Sequence, residues 1–146
     1  MTYNSTSEIV RHYNKADEAS RLRTGWFQLE QSRTQELILR HIPPAPATVL
    51  DVGGGAGTYA CWLASRGYQV HLIDPVRRHV EQAQAASSKQ PQHPLASVMI
   101  GDARKLGQAS QALDAVLFLG PMYHLTERKD RLTALREAHR VLRQEA

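Results

Sequence analysis

Short apolar runs alternate with stretches of helical spacing along most of the chain. Thr48–Val52, Gln69–Asp74, Ala96–Ile100 and Asp114–Leu119 are brief runs rich in Val, Ile and Leu. Runs of that length predict strands buried on both faces. Between them, Thr58–Arg66, closed by Gly67, and Val76–Ala86, closed by the polar loop at 87–94, predict helices. In Glu127–Arg143, Leu132, Leu135, Val141 and Leu142 mark one face of a last helix. Upstream, residues 26–42 carry Leu29, Leu37, Ile38 and Ile42 as one apolar stripe at near-helical spacing. Pro43, Pro44 and Pro46 stop that helix, because proline lacks the amide donor and clashes with the preceding turn. Residues 3–20 are polar and helix-compatible. Continuous apolar strands alternating with helices predict a parallel α/β sheet covered on both faces, its crossovers right-handed.

The length of 146 residues fits one domain. With 42% apolar and 22% charged residues, the composition is that of an ordinary globular chain. No apolar run approaches a membrane span, and MTYNSTSEIVRHY lacks the apolar core of a signal peptide. A cytoplasmic location is therefore expected. The single cysteine, Cys61, excludes an intrachain disulfide and a multi-cysteine zinc site. It lies inside a predicted helix and reads as a small buried residue. The net charge of +4 is spread along the chain, with Arg77-Arg78 the one Arg–Arg pair. A nucleic-acid binder shows a clustered stripe instead, so nucleic acid is not indicated. The excess is compatible with an anionic ligand and diagnostic of none.

The first predicted strand runs into Asp51-Val52-Gly53-Gly54-Gly55-Ala56-Gly57. Glycines there allow a tight turn and close approach of a ligand, and the helix that follows offers free N–H groups. A dinucleotide fingerprint requires G-x-G-x-x-G. Counted from Gly53, its third glycine falls on Thr58, so that match fails. Asp74-Pro75 ends the second strand, Gly101-Asp102-Ala103 follows the third, and the fourth ends in Leu119-Gly120-Pro121-Met122-Tyr123-His124.

The D-x-G-x-G-x-G pattern resembles motif I of the class I S-adenosylmethionine-dependent methyltransferases. Asp74, Asp102 and the segment from Leu119 are similar to that family's later motifs, in the same order. Each falls at the C-terminal end of a strand, where open α/β sheets bind ligands. The resemblance covers roughly residues 10–143 and implies a Rossmann-like doubly wound parallel sheet that uses S-adenosylmethionine. It implies that the Gly53, Gly54 and Gly55 backbone holds the amino-acid tail of the cofactor, with Asp51 among the cofactor-binding residues. Asp74, with Pro75, would hold the ribose, and Asp102, with Ala103, the adenine amine. The backbone at Leu119 and Gly120 would line the methionine and adenosine part of the site. Residues 1–42 would be lid helices over a core at 47–146, the whole forming one domain. Tyr13 resembles the family's tyrosine near the cofactor, and Arg21 or Arg33 is a candidate for its carboxylate, a solvated helix face being the ordinary reading of each arginine. Trp26 and Phe27 read as packing within the lid. His71 and His79 read as surface residues of a strand and a helix.

The chain departs from the family at two places. Where the family adds further strands, this sequence ends at Arg143-Gln144-Glu145-Ala146. Only about four strands, in the order 3-2-1-4, would be present, leaving the fourth as an edge prone to pairing. A shortened chain, or a homodimer that completes its sheet, is the expectation. The segment 120–123 also matches no nucleic-acid methyltransferase motif. A small-molecule acceptor is favoured by elimination, with no membrane partner. Tyr123 and His124 are the catalytic candidates. His124 suits a general base near neutral pH, and equally a helix cap or a backbone hydrogen bond. Tyr123 is placed to pack under a cation. No histidine spacing suggests a metal site. A cofactor-binding module without turnover, self-associating through the short sheet, is the alternative function, and a nicotinamide-dependent oxidoreductase the third reading.

Overall fold

The computed structural model describes residues 7, 8, 10 and 25–145. Most of the helix expected over 3–20 lies outside the described residues, as do Tyr13 and Arg21. Four strands, β1 (Thr48–Val52), β2 (Gln69–Asp74), β3 (Ser97–Ile100) and β4 (Ala115–Leu117), form one sheet in the order β3-β2-β1-β4. All three pairings are parallel. This is the Rossmann-like order that the motifs implied.

Helices cover the two faces unequally. The first, α1 (Gly25–His41), packs with α2 (Thr58–Ser65) and α3 (Arg77–Ser88) over Val49, Val70, Leu72, Ala115 and Leu117. On the opposite face, Leu50, Val52 and Ile73 meet Val141 of α5 (Arg128–Val141) together with Leu106 and Leu113. Alternation along β1 feeds both layers, because successive strand side chains point to opposite faces. Leu50, Leu63 and Leu72 are fully buried, each contributing roughly 1.5–3 kcal/mol relative to exposure.

Four expectations need correction. The apolar stripe of α1 is not buried as a stripe: Ile38 is buried and Ile42 packs beside it, but Trp26 is 87% exposed and Leu29 66%. This helix meets the described core only near its C-terminal end, so Trp26 is not packed and Phe27 is half-buried. The fourth strand is shorter than Asp114–Leu119, because β1 is its one partner and their pairing stops at Asp51↔Leu117. The Asp114 carboxylate instead accepts from the Thr48 amide at 2.8 Å and from Arg143 at 2.6 Å. Leu135 is exposed, while Ala134 and Val141 form the buried line of α5. Finally, Met99 and Ile100 are half exposed, since β3 is an edge strand and not covered on both sides.

A short helix went unpredicted. Gly120-Pro121 reads as a stop in sequence, yet Pro121 opens α4 (Pro121–His124). Proline suits the first helical position, where no intrahelical amide bond is needed. That turn places Tyr123 and His124 beside the ends of the strands.

Candidate functional site

A cavity of about 370 Å³ opens at the C-terminal ends of β1, β2 and β3. Its floor is the loop after β1. Gly53 adopts φ 69°, and a Cβ there would lie 2.9 Å from Pro121 Cγ. Gly54 has no spare volume either, with Leu72 Cδ1 2.6 Å and Asp51 Oδ2 2.8 Å from a Cβ position. The sequence therefore needs glycine at both places, one for backbone angle and one for contact.

The Gly53, Gly54 and Gly55 amides do not face the cavity as free donors. Gly53 and Gly54 donate to Ile73 O at 2.8 and 3.3 Å, and Gly55 donates to Asp74 Oδ2 at 3.0 Å. An anion cradle needs such amides unspent. What the Gly53–Gly55 segment leaves for a ligand is therefore open surface and carbonyl oxygen, more than N–H donors.

Beneath the loop, Asp51 and Asp74 are 2% and 4% exposed. The Asp74 carboxylate also accepts from the Val76 amide at 2.8 Å and contacts His79 Nδ1 at 3.1 Å through Oδ1. His79 is thus buried, not a surface residue of its helix, because its ring turns inward onto Asp74. Asp51 is different: its buried Oδ2 has no hydrogen-bond partner. Burial, and then the neighbouring Asp74 charge, push the Asp51 carboxyl up to about 7. Cys61, buried as expected, has its thiol pushed up by burial and then by Asp51. On β2, His71 is half-buried, bonds Ser97 Oγ at 2.7 Å and is pushed down by burial.

Asp102 borders the cavity from the loop after β3, with Ala103 beside it. Arg104 grips its carboxylate, Nε on Oδ1 at 3.0 Å and Nη2 on Oδ2 at 2.7 Å. Pro75, Leu119, Gly120, Tyr123 and His124 complete the wall, and Tyr123 is 86% exposed at the rim. From α1 come Glu30 and Thr34. Every described candidate of the sequence reading thus lines one cavity, apart from Arg33. That side chain lies on an exposed helix face, 2.6 Å from Glu36. Sequence reasoning missed Glu30, Thr34, His79 and Arg104. Spacing offered some signal for the last two, since a side chain two residues past an aspartate, or one in the following helical turn, can fold back onto it.

The acidic side chains lining the cavity are Glu30, Asp51, Asp74 and Asp102, beside His79 and His124, and no Lys or Arg borders it among the described residues. A chain of net charge +4 therefore presents an acid-lined pocket, which favours cationic ligands. Among the described residues no group of His, Cys, Asp and Glu is arranged to hold a metal ion. No helix there is long and apolar enough to cross a membrane.

A parallel sheet with a ligand-sized cavity at the carboxyl ends of its strands defines an α/β domain of the Rossmann-like class. Residues 49–145 match the family described as a methyltransferase domain, and the chain belongs to that family. No curated protein sequence matches it. Solved structures of similar fold include the YcgJ protein of Bacillus subtilis, 22% identical with a TM-score of 0.69, over 79% of this chain and 48% of that one. A SAM-dependent methyltransferase of Aquifex aeolicus is 26% identical with a TM-score of 0.63, over 75% and 58%. Phosphoethanolamine N-methyltransferase 1 of Haemonchus contortus is 24% identical with a TM-score of 0.72, over 98% and 30%. The chain thus spans about half the length, or less, of these structures.

Proposed function

We propose that this chain binds S-adenosylmethionine and serves methyl transfer to a small-molecule acceptor. The observation that carries this reading is the acid-lined cavity at the strand ends. Its acceptors are Asp51, Asp74 and Asp102, one at or just past the C-terminal end of each of β1, β2 and β3. The residues fit the cofactor. Asp51 Oδ2, buried and unpartnered, suits an ammonium donor. Asp74 suits ribose hydroxyls and Asp102 the adenine amine. When bound, the cofactor supplies a methyl group made electrophilic by its sulfonium. The residues of the chain bind and orient, and in-line alignment is worth several kcal/mol. Tyr123 at the rim offers an aromatic face to a cation. His124, beside it, is the candidate to take a proton from an acceptor that must lose one.

The nicotinamide reading finds less support. A pyrophosphate wants free amides or cations, and here three glycine-loop amides are spent and no Lys or Arg borders the cavity among the described residues. Residues 1–146 act as one domain in this reading, with residues 1–42 closing over the cavity and α1 supplying Glu30 and Thr34. The cytoplasm is its expected site of action.

A second reading, cofactor binding without turnover and self-association, is favoured by one feature. β4 is an edge strand, and beside it Leu37, Ile42 and Phe118 line an apolar groove. Edge strands pair readily with a second chain. Sedimentation tests its self-association: a stable monomer at high concentration removes the dimer.

Titration calorimetry with S-adenosylhomocysteine tests the cofactor assignment. The expected result is one site per chain at micromolar affinity, with NADH silent. A folded sample that gives no heat with S-adenosylhomocysteine overturns it.

A further inference from the structure

Among the described residues, a guanidinium grips Asp102 but neither Asp51 nor Asp74. The grip is built locally. The Lys105 amide donates to Asp102 O at 3.0 Å, closing a turn that folds residue 104 back over residue 102. The Arg104 amide then donates to Asp102 Oδ1 at 2.8 Å, and its side chain adds the two-pronged contact through Nε and Nη2. Its third nitrogen, Nη1, reaches Asp130 Oδ2 at 3.4 Å in the first turn of α5. Asp102 and Ala103 border the cavity, and Arg104 does not. The arginine holds the carboxylate from outside the site, anchored to a helix on the other side.

A fork of this kind fixes the plane of a carboxylate as well as its charge. Without the fork, the Arg104 amide would still hold Oδ1, but the plane of the carboxylate would lose its two-point fix. A fixed acceptor rewards a ligand that offers N–H there, and it penalises one that offers a second oxygen, because neither group can turn away.

We propose that Arg104 is a positioning residue that makes the site selective for a base carrying an exocyclic amine over one carrying a carbonyl at the same place. The proposal rests on the reading of Asp102 as the residue facing the adenine amine. Arg104 itself touches no ligand. It acts through the orientation of Asp102.

The test compares S-adenosylhomocysteine with S-inosylhomocysteine, which differ at that substituent, by titration calorimetry. Wild type, Arg104→Gln, Arg104→Lys and Asp102→Asn are measured, each with its melting temperature. Wild type should prefer the adenosyl ligand by about tenfold or more, as sites built to pair a donor do. Arg104→Gln should shrink the ratio to within about threefold, by losing adenosyl affinity while the penalty on the inosyl ligand eases. Arg104→Lys should fall between, since an ammonium keeps the charge without the fork. Asp102→Asn should lose the preference altogether, because an amide can turn to suit either ligand.

An unchanged ratio in Arg104→Gln overturns the proposal and leaves Arg104 as a tie between the loop and α5. Equal loss for both ligands does the same. If Arg104→Gln fails to fold, Arg104→Lys carries the test, and a wild-type ratio there is the overturning result. Wild type that binds both ligands equally overturns the Asp102 reading, and the proposal with it. Wild type that binds neither overturns the cofactor assignment, so the three failures are distinguishable.

Discussion

Asp74 and Asp102 face the same cavity but are held in different ways. Asp74 is 4% exposed, and its bonds come from two backbone amides and a buried histidine. Asp102 is half-buried, and two of its bonds come from one arginine side chain that is itself partly in solvent. Amides inside packed loops cannot move without unfolding something, so Asp74 is as fixed as the sheet beneath it. Arg104 is replaceable without touching the core. One side of the site is thus rigid by burial and costly to alter, and the other is rigid by a salt bridge and open to tuning.

Substitutions should reveal that asymmetry, from large effects to small. Asp74→Ala strips an acceptor from the Gly55 and Val76 amides and from His79. Buried unsatisfied donors cost about 1–3 kcal/mol each. Loss of the Asp74 charge eases Asp51 and returns part of this, leaving a net loss of about 3 kcal/mol in urea unfolding. Affinity for S-adenosylhomocysteine should fall more than tenfold, above ~1.4 kcal/mol. Stability within ~0.5 kcal/mol of wild type would mean that Asp74 is not structurally bound into the loop. Gly54→Ala should cost roughly 2–3 kcal/mol, as overpacking does, because its Cβ lands on Leu72 and the Asp51 oxygen. A neutral result by thermal melting would show that the loop can shift.

Asp51→Asn should act in the opposite direction and depend on pH. The folded Asp51 carboxyl titrates near 7 and its ordinary value is 3.8. Between those two values the folded state holds a proton that the unfolded chain has lost. Wild-type stability therefore falls as pH rises through that window, and the penalty is complete above about 7. The full shift corresponds to ~4 kcal/mol, and the amide's own desolvation takes back part, leaving a gain of about 2 kcal/mol. Melting temperatures should show Asp51→Asn ahead by several degrees at alkaline pH and behind wild type by a similar margin at acid pH, with the curves crossing in between. An offset independent of pH would assign the effect to packing instead.

Asp102→Asn should cost no more than about 1 kcal/mol of stability, since a partly exposed ion pair is screened. Chemical unfolding checks this beside the ligand comparison. A loss as large as that of Asp74→Ala would erase the distinction between the two sides. Tyr123→Ala should change stability by less than ~0.5 kcal/mol, because its side chain is 86% exposed. Any effect there should instead appear in acceptor turnover.

Much of this molecule was legible before folding. Strand cores, helix ends and the glycine loop follow from local pattern, and β1 and β2 have the bounds that their apolar runs predicted. The motif order placed Asp51, Asp74 and Asp102 at successive strand ends, where the structure gathers them. The misread elements have their reasons elsewhere in the chain. The length of β4 depends on how far β1 runs beside it, and the burial of Trp26 depends on what lies across from α1. Neither is encoded within the segment concerned.

Local patterning determined the alternation of strand and helix, and with it a parallel sheet, because side-chain period and glycine placement act over a few residues. Tertiary structure decided which groups of the site are spent and which are left over. Gly55 and His79 turn toward Asp74, Arg104 folds onto Asp102, and Asp51 keeps an oxygen unpaired in the interior. Hydrogen-bond partners and burial depend on distances between segments far apart in sequence. Only a packed chain has those distances, and with them the desolvation that lifts the Asp51 carboxyl to about 7.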